Sequence, residues 1–211
     1  MKFHLCLLAV FATCAGPIAA QDFYPLKKGN RWVYKAIDSV DKEIRKVIVE
    51  VEREEPYSRK VKKDKGEVVE THTGYLIKST SGGKEIKTGA GISGGKTTVD
   101  HVVLVPNEGV YRIHTAGTPA TPPILFFKLP PKAGDTWECN SMSGNAAIKG
   151  TFTVKADKIG TFDAFVVLYR DVPSAVEIDY WFVSGIGMIR QRVKTKNTEV
   201  TLQLEEYTLV K

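Results

Sequence analysis

The sequence predicts an all-β fold: a curved antiparallel sheet or partly open β-barrel, with two pseudo-repeated halves and little helix. Three observations carry this expectation. Short runs of β-branched and aromatic residues recur from Gln21 to the end of the chain. Glycine-rich or acidic clusters, such as Ser81-Gly82-Gly83, Asn107-Glu108-Gly109 and Ser184-Gly185-Ile186-Gly187, separate most of them. The alternating strand–helix pattern of a parallel sheet is missing.

The elements follow in order. Residues 1–20 read as a signal peptide: Lys2 supplies the positive start, Phe3 to Phe11 the apolar run, and Pro17-Ile18-Ala19-Ala20 a breaker and a cleavage site before Gln21. The apolar run is too short to span a bilayer, so no transmembrane span is expected. Lipidation at Cys14 is disfavoured, because Phe11-Ala12-Thr13 is a poor lipobox. Residues 21–211 then form a single exported β domain, periplasmic or extracellular. Strands are expected around Trp32-Val33-Tyr34, Gly74 to Ile77, Val99 to Val105, Thr151 to Val154, Ala164 to Tyr169, Ile178 to Val183, Met188 to Val193 and Thr198 to Val210. Between Ile44 and Val51 a helical stripe competes with strand alternation, and the β-branched residues decide for strand.

Residues 116–131 differ from their surroundings. Pro119, Pro122, Pro123, Pro130 and Pro131 flank Ile124-Leu125-Phe126-Phe127. Proline cannot donate to a ladder, so this stretch is not a central strand. It reads as a stiff connection between halves 21–115 and 126–211. A weak repeat agrees. Lys27-Lys28-Gly29-Asn30-Arg31-Trp32 matches Lys132-Ala133-Gly134-Asp135-Thr136-Trp137. Val105 to Arg112 matches Val183 to Arg190 as Val-x-x-x-Gly-apolar-apolar-Arg.

The same residues carry a resemblance. Phe23-Tyr24-Pro25-Leu26-Lys27-x-Gly29-Asn30-x-Trp32-x-Tyr34 resembles the start of a group of exported bacterial β proteins without an assigned activity. Gly160-Thr161-Phe162-Asp163-Ala164, then Trp181-Phe182 with Gly185-x-Gly187, is similar to the second half of that group and to DUF3108-type proteins. The resemblance implies an antiparallel β fold and an envelope location, and no activity.

Several motifs suggest chemistry that their context opposes. Ala90 to Thr97 fits a loose phosphate-loop pattern, but a strand rather than a helix follows it. Ser93 lies in a glycine-rich stretch without the strand–helix turn of a nucleophile elbow. His72, His101 and His114 lack the short spacings of a metal site, so neither metal nor cofactor is expected. In Glu54-Glu55 and Glu205-Glu206, strand neighbours point to opposite faces, so neither pair makes a catalytic dyad alone. Cys139 is the one cysteine of the mature chain, which leaves no internal disulfide and suits a buried inert thiol.

The formal charge is +6, or +5 once Lys2 leaves with the signal peptide. Arg59 to Lys65 holds five cations in seven residues and reads as a solvated turn between strands. Export removes nucleic acid as a partner; a lipid or another envelope component remains. Trp32, Trp137, Trp181, Phe126 and Phe127 are the candidate ligand-lining residues of an apolar cavity, with core packing as the competing role. The expected function is a non-catalytic envelope protein that binds an apolar ligand or a protein partner. The alternatives are a structural or assembly-associated domain without a small ligand, and a hydrolase.

Overall fold

The computed structural model describes residues 23–40, 44–64, 66–82, 97–139, 144–171 and 173–211. Its first six strands are β1 (Arg31–Asp38), β2 (Ile44–Lys63), β3 (Gly66–Ser81), β4 (Thr97–Val105), β5 (Gly109–Thr115) and β6 (Thr118–Lys128). The second six are β7 (Thr136–Cys139), β8 (Gly144–Ala156), β9 (Gly160–Asp171), β10 (Val176–Val183), β11 (Gly187–Lys194) and β12 (Glu199–Thr208). They form one antiparallel sheet in the order β6-β5-β4-β3-β2-β1-β12-β11-β10-β9-β8-β7. The sheet is all-β and curls into a nearly closed barrel with one unsealed seam, between β6 and β7. The ambiguous segment from Ile44 to Val51 is strand. The expected signal peptide, Cys14, Ser93 and the phosphate-loop lookalike up to Lys96 lie outside the described residues; its last residue, Thr97, opens β4.

Proline sets the position of the seam. Pro119, Pro122 and Pro123 lie within β6, where they offer no N–H to a partner. β6 therefore pairs on one side only, with β5. Here the structure corrects the sequence reading. The Pro-rich stretch is a strand of the first half, not a connection between halves, and the halves meet at the turn from Leu129 to Asp135.

Each half thus holds six strands, and the two repeat a turn in detail. Gly29 and Gly134 take φ of 89° and 87°, values that favour glycine. The Gly29 N–H donates to the Val51 carbonyl at 2.9 Å, and the Val51 N–H donates to the Asn30 carbonyl at 2.9 Å. In the second half the Gly134 N–H donates to Ile148 at 2.8 Å, and the Ile148 N–H to Asp135 at 2.8 Å. A bulge follows each acceptor, at Val51/Arg53 and at Ile148/Gly150. The β4–β5 and β10–β11 hairpins are the second matched pair of motifs.

The inner face of the sheet is the core. Phe127, Phe182, Leu129, Ile148, Ile189 and Leu204 are among its fully buried members. The segment before β1 enters this core. Phe23 sits edge-on to Phe127 and Phe165 at 6.2 and 5.3 Å, and Tyr24 meets Phe126 and Phe182. Asn30 holds the segment in place: its side-chain amide donates to Pro25 at 2.6 Å and its oxygen accepts from the Val210 N–H at 2.7 Å.

Beyond Pro56 and Thr73, β2 and β3 continue only with each other, to Lys63 and Gly66. They project as a two-stranded ribbon about 26 Å long, at roughly 3.3 Å per residue. The described cations of Arg59–Lys65 all fall on β2 of this ribbon, so this part of the run is strand and not the turn that the sequence suggests. Arg59 is paired to Glu70 at 3.0 Å and to Glu108 at 2.6 Å, and Lys63 to Glu70 at 2.9 Å.

Phe182 is fully buried and stacks on Phe127 at 4.5 Å with rings 16° apart. Phe182→Ala is expected to destabilise the fold by about 3–5 kcal/mol, read as a fall in the urea midpoint. The Arg59 network gives a pH-dependent prediction. Hydrogen bonds from Lys63 and then Arg59 hold the Glu70 carboxyl down at about 2. A depressed carboxylate contributes its full stabilisation above the unfolded value near 4.5 and loses it as pH falls toward 2. The difference in urea midpoint between wild type and Arg59→Met is therefore expected to shrink across that range.

Candidate functional site

Beneath the seam lies a partly open cavity of about 60 Å³, lined from β5, β6, β7, β8, β9 and β10. Its apolar wall includes Ile124, Leu125, Phe126, Ala146, Val167 and Ile178. Its polar atoms come from Arg112, Thr115, Tyr169 and Tyr180. The space is well above the roughly 10–15 Å³ that a single water needs, so it takes a small group. It is too small for a long acyl chain.

The seam above it is closed by side chains, not by a ladder. The Trp137 indole N–H donates to the Leu125 carbonyl at 2.8 Å, and the Cys139 thiol approaches the same oxygen at 3.7 Å. By contrast, the equivalent junction between β12 and β1 is sealed by eight paired positions from Arg31↔Thr208 to Asp38↔Val200. The four-residue β7 pairs only with β8.

Arg112 is the cation of this site. It lies opposite Val102, on the inward face of β5, and its guanidinium stands 4.1 Å over the Phe126 ring. Burial works against its charge, but Tyr180, Asp100 and Tyr24 outweigh it, and the group is held more firmly protonated than usual. Among the described residues no carboxylate makes an ion pair with it. Asp100 acts from farther away, with one oxygen occupied by the Ala116 N–H at 2.8 Å. Burial pushes Tyr24 up to about 12 and also raises Tyr180 and Tyr169, so all three phenols stay neutral and able to donate. The buried Tyr169 hydroxyl and the Thr115 Oγ1 have no hydrogen-bond partner.

The matched position in the second half, Arg190, points the other way. A bulge between Trp181 and Phe182 brings Arg190 opposite Trp181 on the outer face, where it bonds Gln203 at 2.7 Å. One inserted residue reverses every side chain that follows it. Only the first half therefore places this arginine inside.

The chain resembles two solved structures at low similarity. One, provisionally named a lipoprotein, is from Parabacteroides distasonis, with 15% identity, TM-score 0.46, and 88% of this chain and 98% of that one covered. The other, provisionally named an exported protein with a YmcC-like fold, is from Bacteroides fragilis, with 13% identity, TM-score 0.44 and the same coverages. No family model and no curated protein matches the sequence.

The five aromatic candidates are not brought together, which corrects the expectation of one cavity lined by all of them. Phe126 lines the cavity. Phe127 is core, stacked on Phe182. Trp32 is buried at another position, with its indole N–H on the Ile186 carbonyl at 2.7 Å. Trp181 is on the outer face beside Arg190, at 5.7 Å. Trp137 spans the seam without lining the cavity. Strand alternation explains the split: Tyr180 and Phe182 face inward, so Trp181 between them faces out.

The histidines partly converge. His101 and His114 are cross-strand partners with ring centres 4.6 Å apart, and His101 Nδ1 is 3.1 Å from Glu55. Burial lowers the His101 pKa against the opposing pull of Glu55. His72 lies apart from them, with its Nε2 3.5 Å from a Glu70 oxygen. Among the described residues no group of three or more His, Cys, Asp or Glu could hold a metal. Glu54 and Glu55 take opposite directions, to the Lys28 N–H and to His101. No helix among the described residues is long and apolar enough to cross a membrane.

Cys139 is buried, and burial pushes its thiol up to about 11 despite the Trp137 hydrogen bond and the nearby Arg112 charge. The thiolate is the reactive form. Labelling by iodoacetamide at pH 7.5 is thus expected to be slow on the native protein and to speed up at least tenfold in denaturant. Equal rates in both would show an accessible, ionisable thiol.

Proposed function

We propose that the mature chain is an exported, non-catalytic binding protein that takes a small apolar or amphiphilic ligand in the cavity beneath the seam. The carrying observation is the combination of an apolar wall, an inward arginine and partnerless hydroxyls under a junction closed only by side-chain contacts. Export rests on the residues 1–20 leader. A pocket with few convergent polar groups is the usual form of a small-ligand site. The size of the cavity limits the ligand, or the part of it that enters, to a few heavy atoms.

A second reading, a structural or assembly role without a small ligand, is favoured by one observation. Most of the interior is filled by side chains, and the outer edges of β6 and β7 are unpaired.

Native mass spectrometry of mature protein from envelope extracts separates the two. A reproducible small added mass, released by organic extraction, is the expected result. A bare mass, with no shift of the Trp137 indole N–H resonance on adding short aliphatic compounds, would overturn the ligand reading.

A further inference from the structure

We propose that the cavity beneath the seam is a carboxylate site, with Arg112 as its cation, and that its ligand is a monocarboxylate with a short aliphatic tail. This rests on the reading of the cavity as a ligand site and adds the chemical class.

The polar groups that face the cavity can each donate, and Tyr180 already accepts a hydrogen bond from Arg112. Arg112 offers guanidinium N–H groups and can accept nothing. Tyr169 and Thr115 each bring a hydroxyl without a partner. Tyr169 is itself 7% exposed, so its hydroxyl is shielded from bulk water. A hydroxyl can rotate to donate, and a carboxylate is acceptor-only with two oxygens. Three donors around one small space match that group. They do not match an ammonium, which would meet Arg112 as a like charge.

The surroundings point the same way. Burial of a cation is costly; Tyr180, Asp100 and Tyr24 already outweigh that cost at Arg112, and a ligand carboxylate would add the direct ion pair that it lacks. Phe126 beneath the guanidinium offers a ring face, which offsets part of that cost without neutralising the charge. Asp100, the inward acid that acts on Arg112, already accepts from Ala116. A phosphate or sulfate would satisfy the charge but would leave Ile124, Leu125, Val167 and Ile178 against its oxygens. A short alkyl tail fills that wall instead. The volume of about 60 Å³ suits a group the size of butyrate. A larger carboxylate would enter by this end, with its remainder in the seam beside Trp137 and Leu125.

The test uses the mature chain and two four-carbon probes, butyrate and butan-1-ol, followed by NMR. Trp137 reports on the seam, and Trp32 and Trp181 serve as internal controls because they lie elsewhere. Butyrate is expected to shift the Trp137 indole resonance saturably, at least tenfold more tightly than butan-1-ol, with the two controls unmoved. In Arg112→Met, which removes the charge, the preference for butyrate over butan-1-ol should vanish. Equal affinities for the two probes in the wild type would overturn the carboxylate assignment and leave the cavity reading intact. No saturable shift with either probe would overturn both. Should Arg112→Met not fold, the wild-type comparison of the two probes decides alone.

Discussion

The ladder between β1 and β12 holds the two six-stranded halves in one sheet, and the geometry of the molecule depends on it. Arg31 to Asp38 run against Val200 to Thr208, so the chain is closed at the place where its described ends meet. The opposite junction has no such ladder. Proline at 119, 122 and 123 removes donors from β6, and β7 is only four residues long. The curvature that pairing β1 with β12 imposes brings these two edges together without backbone bonds. The candidate site is a consequence of that asymmetry.

Polar groups on the outer face are organised with equal economy. Asp179 is buried on β10 and accepts from Arg170 at 2.8 Å and from Arg192 across the next strand. The three side chains tie β9, β10 and β11 together outside the core. The arginines are about a third exposed, so screening by solvent weakens each pair, while the enclosed Asp179 makes loss of both partners costly. The ribbon uses Arg59 similarly, linking two strands to the Glu108 turn.

Much of the fold was legible in the sequence, because β-branched runs and glycine turns act locally. The Lys-x-Gly-(Asn/Asp)-x-Trp repeat marked two turns that share the same hydrogen bonds, at Gly29 and Gly134. The prolines correctly excluded a central strand but concealed an edge strand, since the ladder with β5 passes over Pro122 and Pro123, pairing at Pro119 and again from Ile124. The site was mostly illegible. Tryptophan is conspicuous in a sequence, yet whether it faces in or out turns on strand parity, and bulges reset parity. Val105 to Arg112 and Val183 to Arg190 read alike, but a bulge at Trp181/Phe182 separates their arginines by the thickness of the sheet. Tyr169 and Thr115 carried no signal at all, because their meeting with Arg112 depends on the closure of the whole barrel.

The paired halves also bear on how small such a molecule could be. A single half, β1 to β6, would end in two unpaired edges, with the prolines protecting only the β6 side. The bare β1 edge would recruit any available strand, including that of a second identical half. Two such halves set head to tail would each present one bare edge and one proline-blunted edge to the other. The smallest self-limiting assembly is therefore a pair, and in this chain the pair is covalent, so the bare edge is consumed within one molecule.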